Sequence, residues 1–340
     1  MGVSERVFII AEAGVNHNGS LEIAKLLVDA ALKAGADAVK FQTFDPEQVV
    51  TRTAARATYQ QMNMPSHNET QLEMVRRLML SYEDFRQLKS YCDQSGIMFL
   101  STPFDYCSVD FLDDLGVPVF KVASGELVNH PFLKYVAAKG KPLIISTGMA
   151  TMEEVGEALA VLQGTGKGTE ITLLHCTSDY PASYEEVNLR AMVAMHQVFG
   201  LPVGYSDHTL GTEVAVAAVA LGACVIEKHF TLDRGMEGPD HQASLEPGEL
   251  AAMISAIRNV EKSLGDGRKK PTPSELETMK VVRRSLVAAC DIKVGEILTV
   301  EKLAIKRPGT GIPPKMLDLI VGRRARVDIP ADTVLTWEMI

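Results

Sequence analysis

Short apolar runs alternate with amphipathic segments along the first three-quarters of the chain. The runs predict eight strands, at residues 7–12, 37–43, 97–101, 117–122, 142–146, 170–176, 202–206 and 223–229. Several are apolar almost throughout, as strands buried on both faces are. Segments such as 21–34 and 151–163 repeat apolar residues at helical spacing. Eight strand–helix units over roughly 250 residues predict a (β/α)8 TIM barrel.

An open doubly wound sheet is the competing fold. Such sheets often carry a glycine-rich phosphate loop directly after a strand. The nearest stretch here, residues 164–169, follows a helical segment and fits neither phosphate-loop pattern. The barrel is therefore the better prediction.

Two regions depart from the strand–helix alternation. Residues 44–80 are too many for a simple connection, so we expect a helix near 69–79 and a lid-like excursion over 44–68 before it. Glycines, prolines and charges from 265 to 274 suggest a linker, and beyond it 285–289, 297–300, 303–305 and 325–327 resemble short strands. We therefore expect a barrel domain at 1–266, a linker at 267–281 and a small, mostly β domain at 282–340.

Composition narrows the class of protein. The net charge of −9 does not favour a nucleic-acid partner, which calls for a basic face. No apolar run reaches the ~18 residues of a membrane span, and the N-terminus does not resemble a signal peptide. Five cysteines without a Cys-x-x-Cys spacing favour neither a disulfide framework nor a structural zinc site. We expect a reduced, cytoplasmic protein without membrane or nucleic-acid partners.

Polar residues stand at the carboxyl end of nearly every predicted strand. They are Glu12, Lys40, Gln42, Ser101, Lys121, Ser124, Glu126, Ser146, Thr147, Thr177, Ser178, Ser206, Asp207, His208, Glu227 and His229. Singly, each has a structural explanation, such as a hydrogen-bonded histidine or a snorkelling lysine. In a barrel they meet at one face, and a buried ring of unpaired polar groups would cost several kcal/mol per group. The ring therefore indicates a site.

The residue types of the ring suggest its chemistry. Two lysines and several hydroxyls suit a phosphate or carboxylate. Two histidines from adjacent strands can bind a divalent metal, and carboxylates can act as acid or base. His17, in the first loop, has no assigned role.

Nine stretches resemble the sialic acid (nonulosonate) synthase family, whose barrel is followed by an antifreeze-like (SAF, β-clip) domain. They are IAEAGVNHNG at 10–19, VKFQT at 39–43, STPF at 101–104, KVASGE at 121–126, STGM at 146–149, YSDHT at 205–209, EKHFT at 227–231, GPDH at 238–241 and KRPG at 306–309. They occur in family order over almost the whole chain. The resemblance implies condensation of phosphoenolpyruvate with an N-acetylated amino sugar, in a homodimer with exchanged small domains.

The resemblance also implies residue roles. His208 and His229 are similar to ligands of a divalent metal, usually Mn²⁺, with Mg²⁺ or Co²⁺ as alternatives. The phosphoenolpyruvate site would comprise Lys40, Lys121, Ser124, Ser146, Thr147 and Ser206, with Ser178 in place of a more usual Asn or Thr. Glu12, Gln42, Tyr180 and Asp240 would contact the sugar. Glu126 would assist proton transfer, with Glu12 and Arg307 as further catalytic groups, and Arg307 would come from the partner's small domain.

Alternatives remain at two levels. A Schiff-base aldolase would also use a strand-end lysine, Lys121 or Lys40, and a noncatalytic carbohydrate- or ice-binding protein would need only the C-terminal fold. Within the family, the residues at 238–245 resemble the neuraminic and legionaminic branches more than the pseudaminic one. N-acetylmannosamine is the first expected sugar, and 2,4-diacetamido-2,4,6-trideoxymannose is the alternative.

Overall fold

Eight parallel strands form one sheet in the computed structural model, which describes residues 6–64 and 69–340. They are β1 Phe8–Gly14, β2 Ala38–Thr43, β3 Met98–Pro103, β4 Phe120–Val122, β5 Leu143–Ser146, β6 Ile171–Cys176, β7 Val203–Asp207 and β8 Val225–His229. The order is β3-β2-β1-β8-β7-β6-β5-β4, and the outer strands β3 and β4 also contact each other. The predicted (β/α)8 barrel and all eight strand positions are confirmed.

Helices connect the strands. They are α1 Leu21–Ala34, α2 Pro46–Val49, α3 Thr58–Asn63, α4 Gln71–Leu78, α5 Tyr82–Ser95, α6 Tyr106–Asp114, α7 His130–Ala138, α8 Met152–Gln163, α9 Arg190–Phe199, α10 Glu213–Ala220 and α11 Pro247–Leu264. Helix α1 shows how local sequence sets an element. Ser20 caps its first turn by accepting from Ile23 N, and Gly35 ends it in the left-handed region.

The excursion between β2 and α5 contains the helices α2, α3 and α4. Helix α4 lies inside the predicted 69–79 segment. Residues 65–68 of the expected excursion lie outside the described part of the chain.

The inward face of the barrel has two layers. One layer is an apolar cluster of Ile10, Ala38, Leu100, Val119, Ile144, Leu174 and Val225. Residues two positions later on the same strands, such as Glu12, Lys40 and Glu227, share that face because strand side chains alternate. The apolar layer therefore fills the barrel interior, and the polar layer lies next to it at the carboxyl ends of the strands.

The chain divides into two compact units, with the boundary between Gly265 and Asp266. The second contains α12 Pro273–Val282, the antiparallel pair β9 Ser285–Ala288 and β10 Leu303–Lys306, and the short α13 Leu317–Ile320. Helix α12 occupies much of the expected linker. Thr272 and Glu275 form a capping box, and Pro273 stands in the first turn, where proline is tolerated.

Two of the four short strands expected in this unit, at 285–289 and 303–305, are confirmed as β9 and β10. The predictions at 297–300 and 325–327 are wrong. Ile297 makes only an isolated bridge to Arg324, and each segment supplies one residue, Leu298 or Ala325, to the small core. Among the described residues, no helix is long and apolar enough to span a membrane.

Candidate active site

A cavity of about 460 Å³ lies at the carboxyl ends of the barrel strands. It gathers twelve of the residues predicted from the sequence: Glu12, Lys40, Gln42, Lys121, Ser124, Ser146, Ser178, Tyr180, Ser206, His208, His229 and Asp240. The polar ring of the sequence analysis is thus largely one surface.

Glu227 lies at the centre of the charge network in this cavity. Its carboxylate is 3.6 Å from Lys40 Nζ and 3.5 Å from Lys121 Nζ, and it accepts a hydrogen bond from Ser206 Oγ at 3.0 Å. Lys40 also pairs with Glu12 at 2.8 Å, and Lys121 donates to Ser146 Oγ at 2.7 Å. The two lysines are therefore held by carboxylates and hydroxyls that an incoming anion can replace or extend.

Burial and neighbours set different pKa values in this network. Burial raises the pKa of Glu12 to about 7, against the opposing effect of Lys40. Burial also acts to raise the pKa of Glu227, but Lys121 and Lys40 hold it at about 2. Burial lowers the pKa of Lys121, whereas Glu12 and Glu227 outweigh burial at Lys40 and raise its pKa. Glu12 is thus the carboxyl that can exchange a proton near neutral pH.

His208 and His229 face each other across the end of β7 and β8, with ring centroids 5.6 Å apart. His208 Nδ1 lies 2.5 Å from Thr177 O, so Nδ1 carries the proton and Nε2 keeps its lone pair. His229 Nδ1 is buried without a hydrogen-bond partner among the described residues. Burial lowers the pKa of His208 to about 4 and that of His229 well below its usual value. Both rings are therefore neutral, the form that ligates metals.

These imidazoles fit a divalent cation as two of its ligands. A backbone carbonyl that fixes the outer nitrogen of His208 is a common support for a metal-binding histidine. Among residues 6–64 and 69–340, no group of three or more His, Cys, Asp or Glu side chains is arranged to hold a metal ion. A cation here would therefore take other ligands from water or substrate, as catalytic sites with open positions do.

A cluster of hydroxyls lies beside Lys121. Ser124 Oγ accepts from Gly148 N at 3.0 Å and lies 3.1 Å from Cys176 Sγ. A β-carbon on Gly148 would overlap both Ser178 Oγ and Ser124 Oγ. Glycine is therefore required for these hydroxyls to keep their places in the cavity that Lys121 also lines, where they suit a phosphate.

Most of the remaining wall of the cavity is apolar. Its apolar part comprises Phe44, Val49, Val50, Met74, Val75, Leu78 and Phe104, contributed mainly by the excursion, and Gln60 and Gln71 of the excursion also line the cavity. Tyr59 of α3 packs on Tyr180 with ring centroids 5.1 Å apart, and Tyr180 lies 4.1 Å from the His208 ring. The excursion thus contributes apolar side chains to the same cavity as the charged network.

Three of the residues to which the family resemblance gives a role are not among those that line the cavity. The Glu126 carboxylate accepts from Asn129 Nδ2 at 2.7 Å in the turn after β4. The buried Thr147 hydroxyl donates to Leu174 O at 3.0 Å. Arg307 belongs to the second unit, where its Nε donates to Val282 O at 3.0 Å. His17, which had no assigned role, is buried outside the lining.

The structure adds residues that the sequence analysis did not assign. Glu227 had been seen only as part of the ring, although its position two residues before His229 puts both side chains on one face of β8. Thr102 accepts a hydrogen bond from Lys40 Nζ at 3.0 Å. It lies two residues after Leu100 on β3, so it faces the inside of the barrel as Leu100 does. No sequence pattern indicated Tyr59, because it lies outside the barrel strands and reaches the cavity only through the folding of the excursion.

Comparisons with known proteins agree with this geometry. Residues 27–269 match the model of the NeuB family, and residues 283–340 match that of the SAF domain. The chain belongs to the NeuB family.

This NeuB-family chain is also similar to individual relatives of known name. It is 49% identical over 342 residues to the N,N'-diacetyllegionaminic acid synthase of Legionella pneumophila, covering 100% of this chain and 96% of the relative. It is 38% identical to the human N-acetylneuraminate-9-phosphate synthase, with 100% and 94% covered. The crystal structure of the N-acetylneuraminic acid (sialic acid) synthetase of Leptospira borgpetersenii matches with a TM-score of 0.71 and 35% identity, over 81% of this chain and 90% of that one.

Proposed function

We propose that this protein condenses phosphoenolpyruvate with 2,4-diacetamido-2,4,6-trideoxymannose and water, giving N,N'-diacetyllegionaminic acid and phosphate. The broader class is given by the family: the chain is a phosphoenolpyruvate-dependent nonulosonic acid synthase. The identity of the sugar is the more specific part of the proposal. The 49% identity to a legionaminic acid synthase, against 38% to the human enzyme, supports the diacetamido sugar.

The apolar wall is the structural observation that carries this choice. The proposed sugar has a methyl group at carbon 6 and an acetamido group at carbon 4, where N-acetylmannosamine has hydroxyls. Val49, Val75 and Leu78 offer apolar contact to the methyl at carbon 6 and to the acetyl methyl at carbon 4, and Gln60 and Gln71 of the same lining can pair with the amide. Among the described lining residues the lysines are Lys40 and Lys121, and phosphoenolpyruvate would use both, so no lysine of the lining remains for a sugar phosphate.

The phosphoenolpyruvate end follows from the charge network. The phosphate and carboxylate of this substrate need cations and donors, which Lys40, Lys121 and the hydroxyls of Ser124, Ser146 and Ser178 supply. Its enol carbon attacks the sugar aldehyde. Water then adds to the resulting oxocarbenium carbon, and the tetrahedral intermediate expels phosphate.

The carboxylates have separate tasks in this scheme. Glu227 stays ionised because its pKa is about 2, so its negative charge favours the oxocarbenium carbon. Glu12, with a pKa of about 7, can give the proton that the aldehyde oxygen gains. A divalent cation held by His208 and His229, Mn²⁺ in the first instance and Mg²⁺ or Co²⁺ otherwise, would supply Lewis-acid polarisation of the aldehyde.

A direct assay tests the proposal. The protein is incubated with phosphoenolpyruvate, Mn²⁺ and either sugar, and phosphate release is followed. We expect a higher kcat/KM with the diacetamido sugar than with N-acetylmannosamine. A reversed preference would replace the proposed sugar with N-acetylmannosamine, the second candidate, which the likeness to the Leptospira synthetase favours. Absence of phosphate release with both sugars would overturn the synthase proposal for these sugars.

The variant Val75→Thr sharpens the test, since it exchanges one methyl of the wall for a hydroxyl at nearly constant volume. We expect it to lower kcat/KM for the diacetamido sugar about 10-fold and to spare N-acetylmannosamine. Val198→Thr on the exposed face of α9 is the control, because Val198 does not line the cavity. An equal loss with both sugars would remove the wall from the specificity argument.

A further inference from the structure

A fully buried ion pair lies behind the two imidazoles. Asp207 Oδ2 and Lys228 Nζ are 2.8 Å apart, and both side chains are 0% exposed. The two residues are paired in register on β7 and β8, and each directly precedes one histidine, His208 or His229. Because strand side chains alternate, this pair faces the surrounding helices while its neighbours Ser206 and Glu227 face the cavity.

The pair also holds the backbone that follows His208. Asp207 Oδ1 accepts from Thr209 N at 2.9 Å and from Thr209 Oγ1 at 2.7 Å. Lys228 Nζ donates to Thr209 O at 2.5 Å. The residues on both sides of His208 are therefore tied to the residue before His229, and the Thr177 carbonyl fixes the His208 ring itself.

Stability alone does not account for this arrangement. Removing two charges from water is costly, and replacing a buried ion pair with apolar residues of similar volume is often neutral or stabilising. What an ion pair with three added hydrogen bonds provides is fixed geometry. The geometry that it fixes is the separation and orientation of two imidazoles on adjacent strands.

We propose that Asp207 and Lys228 are positioning residues that set the relative placement of His208 and His229 and thereby the affinity of this site for a divalent cation. The inference rests on the cation role of the two histidines given under Proposed function. Neither residue of the pair lines the cavity. They act through the two histidines that follow them.

The experiment measures Mn²⁺ binding directly, by electron paramagnetic resonance of the free ion, with no phosphoenolpyruvate or sugar present. The double variant Asp207→Asn/Lys228→Met removes both charges and keeps an acceptor for Thr209 N. We expect its Mn²⁺ affinity to fall by about 10- to 100-fold, as changes in the supports of metal ligands do. Its thermal unfolding midpoint should move by only a few degrees, since the ion pair contributes little net stability.

A second ion pair provides the matched control. Arg258 and Asp37 lie 2.8 Å apart at the opposite end of the barrel, where Asp37 accepts from Ile9 N. The variant Asp37→Asn/Arg258→Met should leave Mn²⁺ affinity unchanged. If the Asp207/Lys228 double variant does not fold, Thr209→Val, which removes the Thr209 Oγ1 hydrogen bond to Asp207 and leaves the ion pair intact, should also lower the Mn²⁺ affinity and gives the comparison.

Three results would overturn the inference. They are an unchanged Mn²⁺ affinity in the Asp207/Lys228 variant, an equal loss of affinity in the control, and a wild-type protein that does not bind Mn²⁺. A wild-type protein that binds Mn²⁺ but condenses neither sugar would contradict the proposed function and leave the positioning result standing.

Discussion

Three buried carboxyls at the mouth of the barrel differ in pKa because their neighbours differ. Glu227 lies between two lysines and has a pKa of about 2. Glu12 pairs with one lysine but is desolvated and repelled by Glu227, which leaves its pKa at about 7. Burial alone raises the pKa of Asp240 to about 6. The same chemical group thus has three different pKa values in one cavity, which suits different tasks in the proposed reaction.

Asp240 gives a prediction that joins stability to function. Its folded-state pKa of about 6 lies above the ordinary 3.8, so folding takes up a proton between these values. The cost of burying the charge is therefore absent below about pH 4 and complete above about pH 6. Asp240→Asn should raise the free energy of unfolding at about pH 7.5 by on the order of 2 kcal/mol, with a smaller gain at about pH 4.5.

Urea unfolding at both pH values measures this difference. The exposed Asp114→Asn is the control and should show no such pH dependence. The same Asp240 variant should raise the KM for the sugar and leave that for phosphoenolpyruvate unchanged. A destabilised Asp240→Asn protein at neutral pH would contradict the assignment of a costly buried charge.

Substitution of Glu227 should affect the KM for phosphoenolpyruvate and kcat in different ways. Glu227→Gln keeps an acceptor for Ser206 and removes the anion that competes with phosphoenolpyruvate for Lys40 and Lys121. We expect an unchanged or lower KM for phosphoenolpyruvate and a kcat reduced by about 100-fold or more, because the lost charge acts on the oxocarbenium carbon. Steady-state kinetics with each substrate varied in turn provide both values.

Glu126→Gln is the comparison for that variant. The sequence analysis assigned proton transfer to Glu126, whereas the structure pairs its carboxylate with Asn129. We expect the smaller loss of kcat from this variant. The opposite ranking would return the catalytic role to Glu126 and leave Glu227 as a binding residue.

At the scale of elements, the barrel strands were predictable because burial on both faces leaves near-continuous apolar runs such as 143–146 and 171–174. The polar layer was predictable for the same reason, since each polar residue interrupts a run at its end. The small unit was harder. Its core takes single residues such as Leu298 and Ala325 from irregular segments. The strand-like patterns at 297–300 and 325–327 therefore do not correspond to strands of a sheet.

The excursion shows a different limit of the sequence. Its helix α4 has a helical pattern, but the packing of Tyr59 on Tyr180 joins positions more than a hundred residues apart. No local period encodes such a contact. The apolar wall of the cavity therefore became visible only in the folded chain.

The β5–α8 connection gives an element-scale prediction. Gly148→Ala would push a methyl group into the hydroxyls of Ser124 and Ser178 and displace them within the cavity lining. Overpacking of this kind costs about 1–3 kcal/mol, so we expect the KM for phosphoenolpyruvate to rise by about 10-fold or more. Gly248→Ala is the control, since a β-carbon there meets nothing within 4 Å among the described residues and Gly248 does not line the cavity. Equal effects of the two variants would remove the hydroxyl cluster from phosphoenolpyruvate binding.

At the scale of the whole molecule, the open question is how two units make one enzyme. The cavity is lined by residues of the first unit, and Arg307 lies in the second. The family resemblance places this arginine in the barrel of a partner subunit. There a guanidinium can pair with the substrate carboxylate in a bidentate contact that lysine does not make. We therefore predict a homodimer with exchanged small units.

Complementation tests that exchange. One variant, Glu227→Gln, has an inactive barrel. The other, Arg307→Ala, lacks the arginine that the small unit would supply, here called the arm. In an exchanged dimer each mixed pair holds one intact site, formed by a wild-type barrel and a wild-type arm, and one doubly defective site. Random subunit exchange makes half of the dimers mixed, so equal amounts should recover about a quarter of wild-type activity. Mixing without subunit exchange should restore nothing and serves as the control. If each arm served its own barrel, the mixture would stay inactive even after exchange, because no subunit would then combine an intact barrel with an intact arm.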